Sequence, residues 1–262
     1  MSTALITGAS SGIGKAFAEE LAARKTNLVL VARSGAKLQQ IADELTEKFK
    51  IQVDVIVQDL TEPQATQTVF DVVENRGLTI DLLINNAGFG DYGDFAERDG
   101  ERQVKMVQLN ITALVDLTHK FLPLMRQRRS GSIINVASIA GFQPIPYLSV
   151  YAATKAFVLS FSEALWAENQ NYGVKILVVC PGPTQTEFFT EAQFPSALAG
   201  SNNNKIATPE TVVKDALQAL EKGESTVVSG GLQNQIIVNM HRFLPRESLV
   251  SLLAKQFKAS PN

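Results

Sequence analysis

A single cysteine, Cys180, in a chain of 262 residues excludes an internal disulfide framework and points to a reducing compartment. It closes the apolar run VKILVVC, and only His119 and His241 are available to serve it as a base, so it reads as a small buried hydrophobe rather than a catalytic thiol. No metal site is expected. An excess of either charge is also missing: 24 Lys and Arg face 26 Asp and Glu. The one dense basic cluster, RQRR at 126–129, ends an apolar helical run, where the helix dipole favours cations, and no nucleic-acid partner is expected. No hydrophobic run approaches the ~18 residues that span a bilayer. The opening MSTALITGAS enters a strand-like run without a charged leader, so the reading is a cytoplasmic protein with neither signal peptide nor transmembrane segment. Internal repeats and low-complexity tracts are absent.

What is present is core. With 45% hydrophobic residues, 19% charged residues and a mean hydropathy of +0.04, the chain fits one globular domain over 1–262. Short, nearly continuous apolar runs recur at 4–7, 27–32, 52–57, 81–85, 131–137, 174–180 and 225–229, as in strands buried on both faces. Between them lie helix-period segments, such as Leu38, Ile41, Leu45 and Phe49 on one face. The spacing predicts helices over 13–25, 63–76, 102–126, 150–169 and 209–222. Alternation of this kind implies an α/β fold, a doubly wound, mostly parallel sheet of about seven strands covered on both faces. Two regions break the pattern: 183–208, long and without period, reads as a substrate lid, and the tail over about 233–258 reads as two short amphipathic helices parted at Pro245.

The turn after the first strand is TGASSGIG, Thr7 to Gly14. Glycines at 8, 12 and 14 permit positive φ and close approach to an anion, and the helix beyond offers unpaired N–H groups, so the turn suits a pyrophosphate. The second strand ends LVLVARS: Ala32 stands where an acid would hold ribose hydroxyls, and the Arg33 guanidinium next to it suits a 2′-phosphate. NADP(H) is therefore expected over NAD(H), with Ser10, Ser11 and Ser34 as further hydroxyl donors.

In YLSVYAATK, 147–155, Tyr151 and Lys155 stand one turn apart on a helix face, whereas Tyr147 follows QPIP and has no lysine at that spacing. A free phenol titrates near pH 10, so about one in a thousand is ionised at pH 7. A lysine ammonium beside it favours the phenolate, an effect expected to be worth roughly 3–4 kcal/mol. Ser138 lies thirteen residues before Tyr151, at the end of the fifth strand, and can hydrogen-bond a carbonyl oxygen as charge develops on it.

The ordered set TGxxxGxG, NNAG at 85–88, S-x12-Y-x3-K and PG at 181–182 resembles the short-chain dehydrogenase/reductase family in its single-domain branch, over about residues 3–190. The resemblance implies an oxidoreductase in which Tyr151 exchanges a proton with the substrate oxygen, Ser138 hydrogen-bonds that oxygen, Lys155 lowers the tyrosine pKa and holds the nicotinamide ribose, and Asn110 of VQLNITALV supports a water relay. It places Gly8, Ser10, Ser11, Gly12, Ile13 and Gly14 at the phosphates, and Arg33 and Ser34 at the 2′-position. Asp59 and Leu60 fall at the adenine, Asn86, Ala87 and Gly88 along the cleft, and Pro181, Gly182, Thr184 and Thr186 at the carboxamide. Thr184 stands where the family usually has Val. For Asp59 the competing role is capping the helix over 63–76, for which Thr61 is better placed. The family also implies a homodimer or homotetramer through helices 102–126 and 150–169.

The function implied is hydride transfer between NADP(H) and the carbonyl or alcohol carbon of a hydrophobic small molecule, in a pocket drawn from Phe89, Tyr92, Ile139, Phe142, Gln143, Tyr147, Phe188, Phe189 and Phe194. An NADP(H)-sensing regulatory protein on the same fold is the other reading, against which the intact Ser138, Tyr151 and Lys155 argue. A nucleotide-sugar epimerase is disfavoured by length and glycine spacing.

Overall fold

A computed structural model describes residues 2–195 and 206–258. Seven strands, β1 (Thr3–Thr7), β2 (Asn27–Ala32), β3 (Val53–Val57), β4 (Leu82–Asn85), β5 (Gly131–Val136), β6 (Val174–Pro181) and β7 (Thr226–Ser229), form one sheet in the order 3-2-1-4-5-6-7. Every neighbouring pair is parallel.

Successive strand residues point to opposite faces, and both faces are buried. Ile6, Leu28 and Leu30 pack with Phe17, Leu38 and Leu217 from α1 (Gly12–Ala23), α2 (Gly35–Phe49) and a helix at Pro209–Lys222. Their neighbours Leu5, Val29 and Val31 pack with Val69, Phe121 and Leu165 from α3 (Ala65–Asn75), α5 (Leu114–Gln127) and α6 (Ser149–Glu168). This is why the runs are apolar throughout rather than alternating. The order turns back between β1 and β4, and ligands of open α/β sheets bind beyond the strand ends at such a point.

Three expectations need correction. The helix over 102–126 is α4 (Gly100–Val107) and α5 joined by a π-helical stretch at Gln108–Ala113, centred near Asn110. Thr61 does not cap α3: its N–H and hydroxyl both donate to Asp59 Oδ1, at 2.9 and 2.8 Å, and the helix begins only at Ala65 after Gln64 in a left-handed conformation. The lid segment carries a short helix, α7 (Phe188–Glu191), and its part over 196–205 lies outside the described residues. Beyond α8 (Pro209–Lys222), the tail forms the two expected helices, α9 (Leu232–Asn239) and α10 (Arg246–Phe257). The arginines of RQRR bond to backbone carbonyls rather than only facing solvent, Arg128 to Ile80 and Arg129 to Asn171.

Candidate active site

The turn between β1 and α1 is stitched to the end of β4. Thr7 Oγ1 accepts the N–H groups of Asn86 and Ala87, both at 3.0 Å, and Asn86 Nδ2 donates to the carbonyls of Thr7 and Gly8 at 2.9 and 3.2 Å. Glycine is required there twice. Gly8 holds φ +66°, and a Cβ on it would lie 2.9 Å from Ala87 Cα, while one on Gly14 would lie 2.3 Å from the Gly8 carbonyl oxygen. Ser11 precedes α1 without a side-chain cap, so it leaves the helix N–H groups to an anion, and Ile13 packs on the core below. Thr186, from the loop after β6, comes within 3.1 Å of where a Gly12 Cβ would stand. Two loops thus face one another across a cradle that backbone, not side chains, defines, which fits a dinucleotide.

At the other end of the cradle Arg33 and Asp59 lean together, Nη1 to Oδ2 at 3.9 Å, with the arginine side chain 73% exposed. An exposed pair at that distance contributes little and leaves the guanidinium free to change partner. Partial burial works to raise the Asp59 carboxyl, but bonds from Thr61 and the charge of Arg33 hold it below its ordinary value. Ser34 precedes α2 without capping it, and Leu60 is buried beneath.

The reacting groups meet beyond β5. Ser138 follows its end: its Oγ accepts the Ala140 N–H at 3.1 Å, its hydroxyl donates to the Pro181 carbonyl at 3.5 Å, and it stands near enough to Tyr151 to favour the phenolate. Tyr151 and Lys155 are both buried on α6. Lys155 Nζ donates to the Val136 carbonyl at 2.8 Å and lies 5.8 Å from the Tyr151 ring centre. The expected lowering of the tyrosine pKa is not found in the protein alone. Burial pushes the phenol up to about 12, only partly opposed by Ser138, and burial likewise pushes Lys155 down to about 8. Desolvation acts against each charged form and is the largest cause of both shifts.

Asn110 is buried, not a surface residue. Its Nδ2 donates to the Phe89 carbonyl and Thr154 Oγ1, both at 3.0 Å, and its Oδ1 accepts the Phe89 N–H at 3.1 Å. The π-helical stretch around it displaces backbone carbonyls from their usual register, a feature common at functional sites. Gly88 is pressed between the two: a Cβ there would lie 2.9 Å from Asn110 Oδ1 and 3.6 Å from Lys155 Nζ. Across the cleft Pro181 ends β6, Gly182 lies against Asn234 of α9, and Thr184 donates to the Gly182 carbonyl at 2.9 Å. Cys180, with its thiol pushed up to about 12 by burial, is inert.

Aromatic side chains pack around Tyr151. Phe89, Tyr92, Tyr147, Phe188 and Phe194 belong to one packed cluster with it, and Phe189 joins through Phe188 and Phe194. Ile139 is half-buried beside Ser138, and Gln143 is buried with an unpartnered Oε1. Phe142 is the exception: it packs behind the site with Val158 and Cys180.

Three contributions went unread in the sequence. Thr154, next to Lys155, holds Asn110. Asp91, with its side chain fully buried, receives Arg98 at 2.6 Å, Arg102 at 2.9 Å and Gln103 at 2.5 Å, and Arg102 continues to the Glu191 carbonyl at 2.7 Å. This cluster ties the loop after β4 to the root of the lid. Phe257 of α10 closes the far side, its carbonyl accepting the Tyr92 hydroxyl and its ring meeting Phe194 edge-on. The only sequence signal for the Asp91 cluster was alternating charge in DYGDFAERDGERQ, which surface helices share.

The family model for short chain dehydrogenase matches residues 2–195. Very-long-chain 3-oxoacyl-CoA reductase of Anas platyrhynchos is 34% identical over 261 residues, covering 97% of this chain and 80% of that protein. The 7beta-hydroxysteroid dehydrogenase of Collinsella aerofaciens is 33% identical over 227 residues, covering 86% and 85%. Among solved structures, the short-chain dehydrogenase from Sphingobium yanoikuyae in complex with NADPH superposes with a TM-score of 0.82 at 32% identity, covering 99% of both chains.

Proposed function

The chain belongs to the short-chain dehydrogenase family, and from that premise we propose that it acts as a single catalytic domain that reduces a bulky, apolar ketone or aldehyde with NADPH. It is an oxidoreductase of the C=O/CH–OH pair that uses a nicotinamide cofactor. When bound, the nicotinamide supplies the hydride.

The residues of the chain do the rest. Tyr151 gives its proton to the substrate oxygen, and burial, which keeps the phenol neutral, holds it in the donating state. Ser138 hydrogen-bonds the same oxygen as its charge grows. Lys155, held beside Val136, reaches the ribose and returns a proton to Tyr151, and Asn110 holds the water through which that proton comes. The cradle of Gly8, Ser10, Ser11, Gly12, Ile13 and Gly14 takes the phosphates. Arg33 and Ser34 take the 2′-phosphate, Asp59 and Leu60 the adenine, Asn86, Ala87 and Gly88 the ribose side, and Pro181, Gly182, Thr184 and Thr186 the carboxamide.

The observation that carries the reading is the burial of Tyr151 and Lys155 among aromatic side chains, with Ser138 half-buried beside them, at the carboxyl ends of parallel strands. Two relatives named for acyl-CoA and steroid chemistry support a large apolar substrate. No helix among the described residues is long and apolar enough to cross a membrane. The buried single thiol supports a cytoplasmic setting, and Val104 and Phe157, exposed on α4 and α6, support a homodimer or homotetramer through those helices. The test is NADPH oxidation against a panel of carbonyl compounds: Tyr151→Phe retains NADPH binding and loses turnover by at least about a thousandfold. Turnover surviving in Tyr151→Phe, or confined to highly charged carbonyl compounds, rejects the reading.

A further inference from the structure

The outward side of α9 is apolar where a surface helix should be polar. Its inner side is docked, with Asn234 and Val238 buried and Asn234 Nδ2 donating to the Ser229 carbonyl at 2.7 Å. Opposite them Leu232 is 78% exposed and Ile236 60%, one helical turn apart, and Phe243, just past the 3-10 turn that follows α9, is 82% exposed. Leu244 and, on α10, Leu252 are exposed as well.

The tail that carries these side chains is basic, although Asp215 and Glu224 line the groove beside Gln235 on the flank of α9. Residues 232–258 carry Arg242, Arg246, Lys255 and Lys258 against Glu247 alone, although the whole chain is net negative. Arg242 and Arg246, which flank Phe243, are exposed. A second copy meeting this face through a two-fold axis would set these arginines against their own images, which disfavours self-association. An anionic partner removes that conflict, and a lipid headgroup layer over acyl chains answers both the charge and the exposed apolar side chains.

We infer that the α9 face, Leu232, Ile236 and Phe243 rimmed by Arg242 and Arg246, docks the protein on an anionic membrane surface. Insertion is shallow: the three apolar side chains enter the headgroup boundary and the arginines stay with the phosphates. Asn234 packs on Gly182 and Phe257 reaches the aromatic cluster around Tyr151, so docking sets the substrate cleft beside the bilayer. The inference stands independently of the proposed substrate.

The experiment is sedimentation of the full chain with phosphatidylcholine vesicles, with and without phosphatidylserine. Binding is expected with phosphatidylserine, weaker without it and reversed by salt. Leu232→Ser/Ile236→Ser/Phe243→Ser abolishes it, and Arg242→Gln and Arg246→Gln each weaken it about fivefold. Unchanged turnover of a water-soluble ketone shows that the triple variant is folded; if it is not, Phe243→Ser and the arginine variants carry the test. No sedimentation at low salt, or wild-type binding by these variants, overturns the inference. So does light scattering in which Phe243→Ser splits an oligomer while the wild type ignores both vesicles, since the face then belongs to a second copy.

Discussion

Phe188 lies over the Tyr151 ring, their centroids 5.1 Å apart and their planes tilted by 49°. On the proposed mechanism the first aromatic residue of the lid therefore stands in the path of a carbonyl approaching Tyr151. Its ring also fills the space beside Gly90, where a Cβ would lie 2.7 Å from Cζ. Substrate binding has to turn Phe188 aside and replace its contact with the phenol by contact of its own. Phe188→Ala removes both the obstacle and the wall, so small ketones lose binding while bulky ones gain room. The ratio of kcat/KM for a bulky over a small ketone is expected to rise about tenfold, with kcat on the bulky one little changed. An unchanged ratio places the substrate elsewhere.

Lys155 links activity to stability. Its ammonium is pushed down to about 8 in the folded chain from 10.5, so between those values the unfolded chain binds more protons and stability rises with pH. Below pH 8 the whole cost is present, ~3 kcal/mol. Lys155→Met removes that cost and gives up the bond to the Val136 carbonyl, worth about 1 kcal/mol, so the variant should be inactive yet ~2 kcal/mol more stable at pH 7. Tyr151, raised to about 12 from 10.0, adds a loss of stability only above pH 10. Urea unfolding at pH 7 and pH 9.5 is the measurement: the advantage of Lys155→Met must shrink at the higher pH.

Asp91 is the opposite case, a buried charge that its partners hold ionised. Burial works to raise its carboxyl, and the bonds and charges of Arg98 and Arg102 more than offset this, keeping it below the ordinary range. Replacing it takes the one carboxylate from two partly buried guanidinium groups and leaves them only neutral acceptors. Asp91→Ala is expected to cost about 3–5 kcal/mol. Since Arg102 reaches the Glu191 carbonyl and Arg98 reaches Gln193 at 2.8 Å, the milder Asp91→Asn should raise the substrate KM more than it lowers kcat. An equal effect on both would make the cluster a stability element only.

The strands and the placing of Tyr151 and Lys155 on one helix face were legible because each rests on local pattern. Continuous apolar runs such as NLVLVA follow from burial on both faces, and Tyr151 and Lys155 follow from one helical turn. What stayed hidden depends on distant partners. Asn110 sits in a sequence that any helix would accept, and its π turn answers to Phe89 and Thr154, 21 and 44 residues away. The pKa order failed for the same reason: spacing shows that a lysine is near a phenol but not that both are desolvated. Phe142 was counted among the apolar and aromatic pocket candidates, whereas the turn at Ile139–Phe142 directs it into the core beside Cys180.

Cofactor choice turns on the Arg33–Asp59 pair. Asp59 stands 3.9 Å from the guanidinium, so a 2′-phosphate binding Arg33 has to compete with a carboxylate already there. The competition is weak, because an exposed ion pair is worth about 0–1 kcal/mol while a bidentate guanidinium–phosphate contact is stronger. Ala32 adds no second negative charge at the end of β2, so Asp59 is the one carboxylate the phosphate has to displace from Arg33. The wild type should therefore favour NADPH, and Arg33→Ala should raise the KM for NADPH by at least about tenfold, the equivalent of 1.4 kcal/mol, leaving that for NADH nearly unchanged. Ala32→Asp should go further and invert the preference, since the new carboxylate repels a 2′-phosphate but accepts hydrogen bonds from ribose hydroxyls. Initial rates with both cofactors across these two variants decide the matter: equal KM values in the wild type, or a ratio that Arg33→Ala leaves unmoved, would remove Arg33 from the cofactor site.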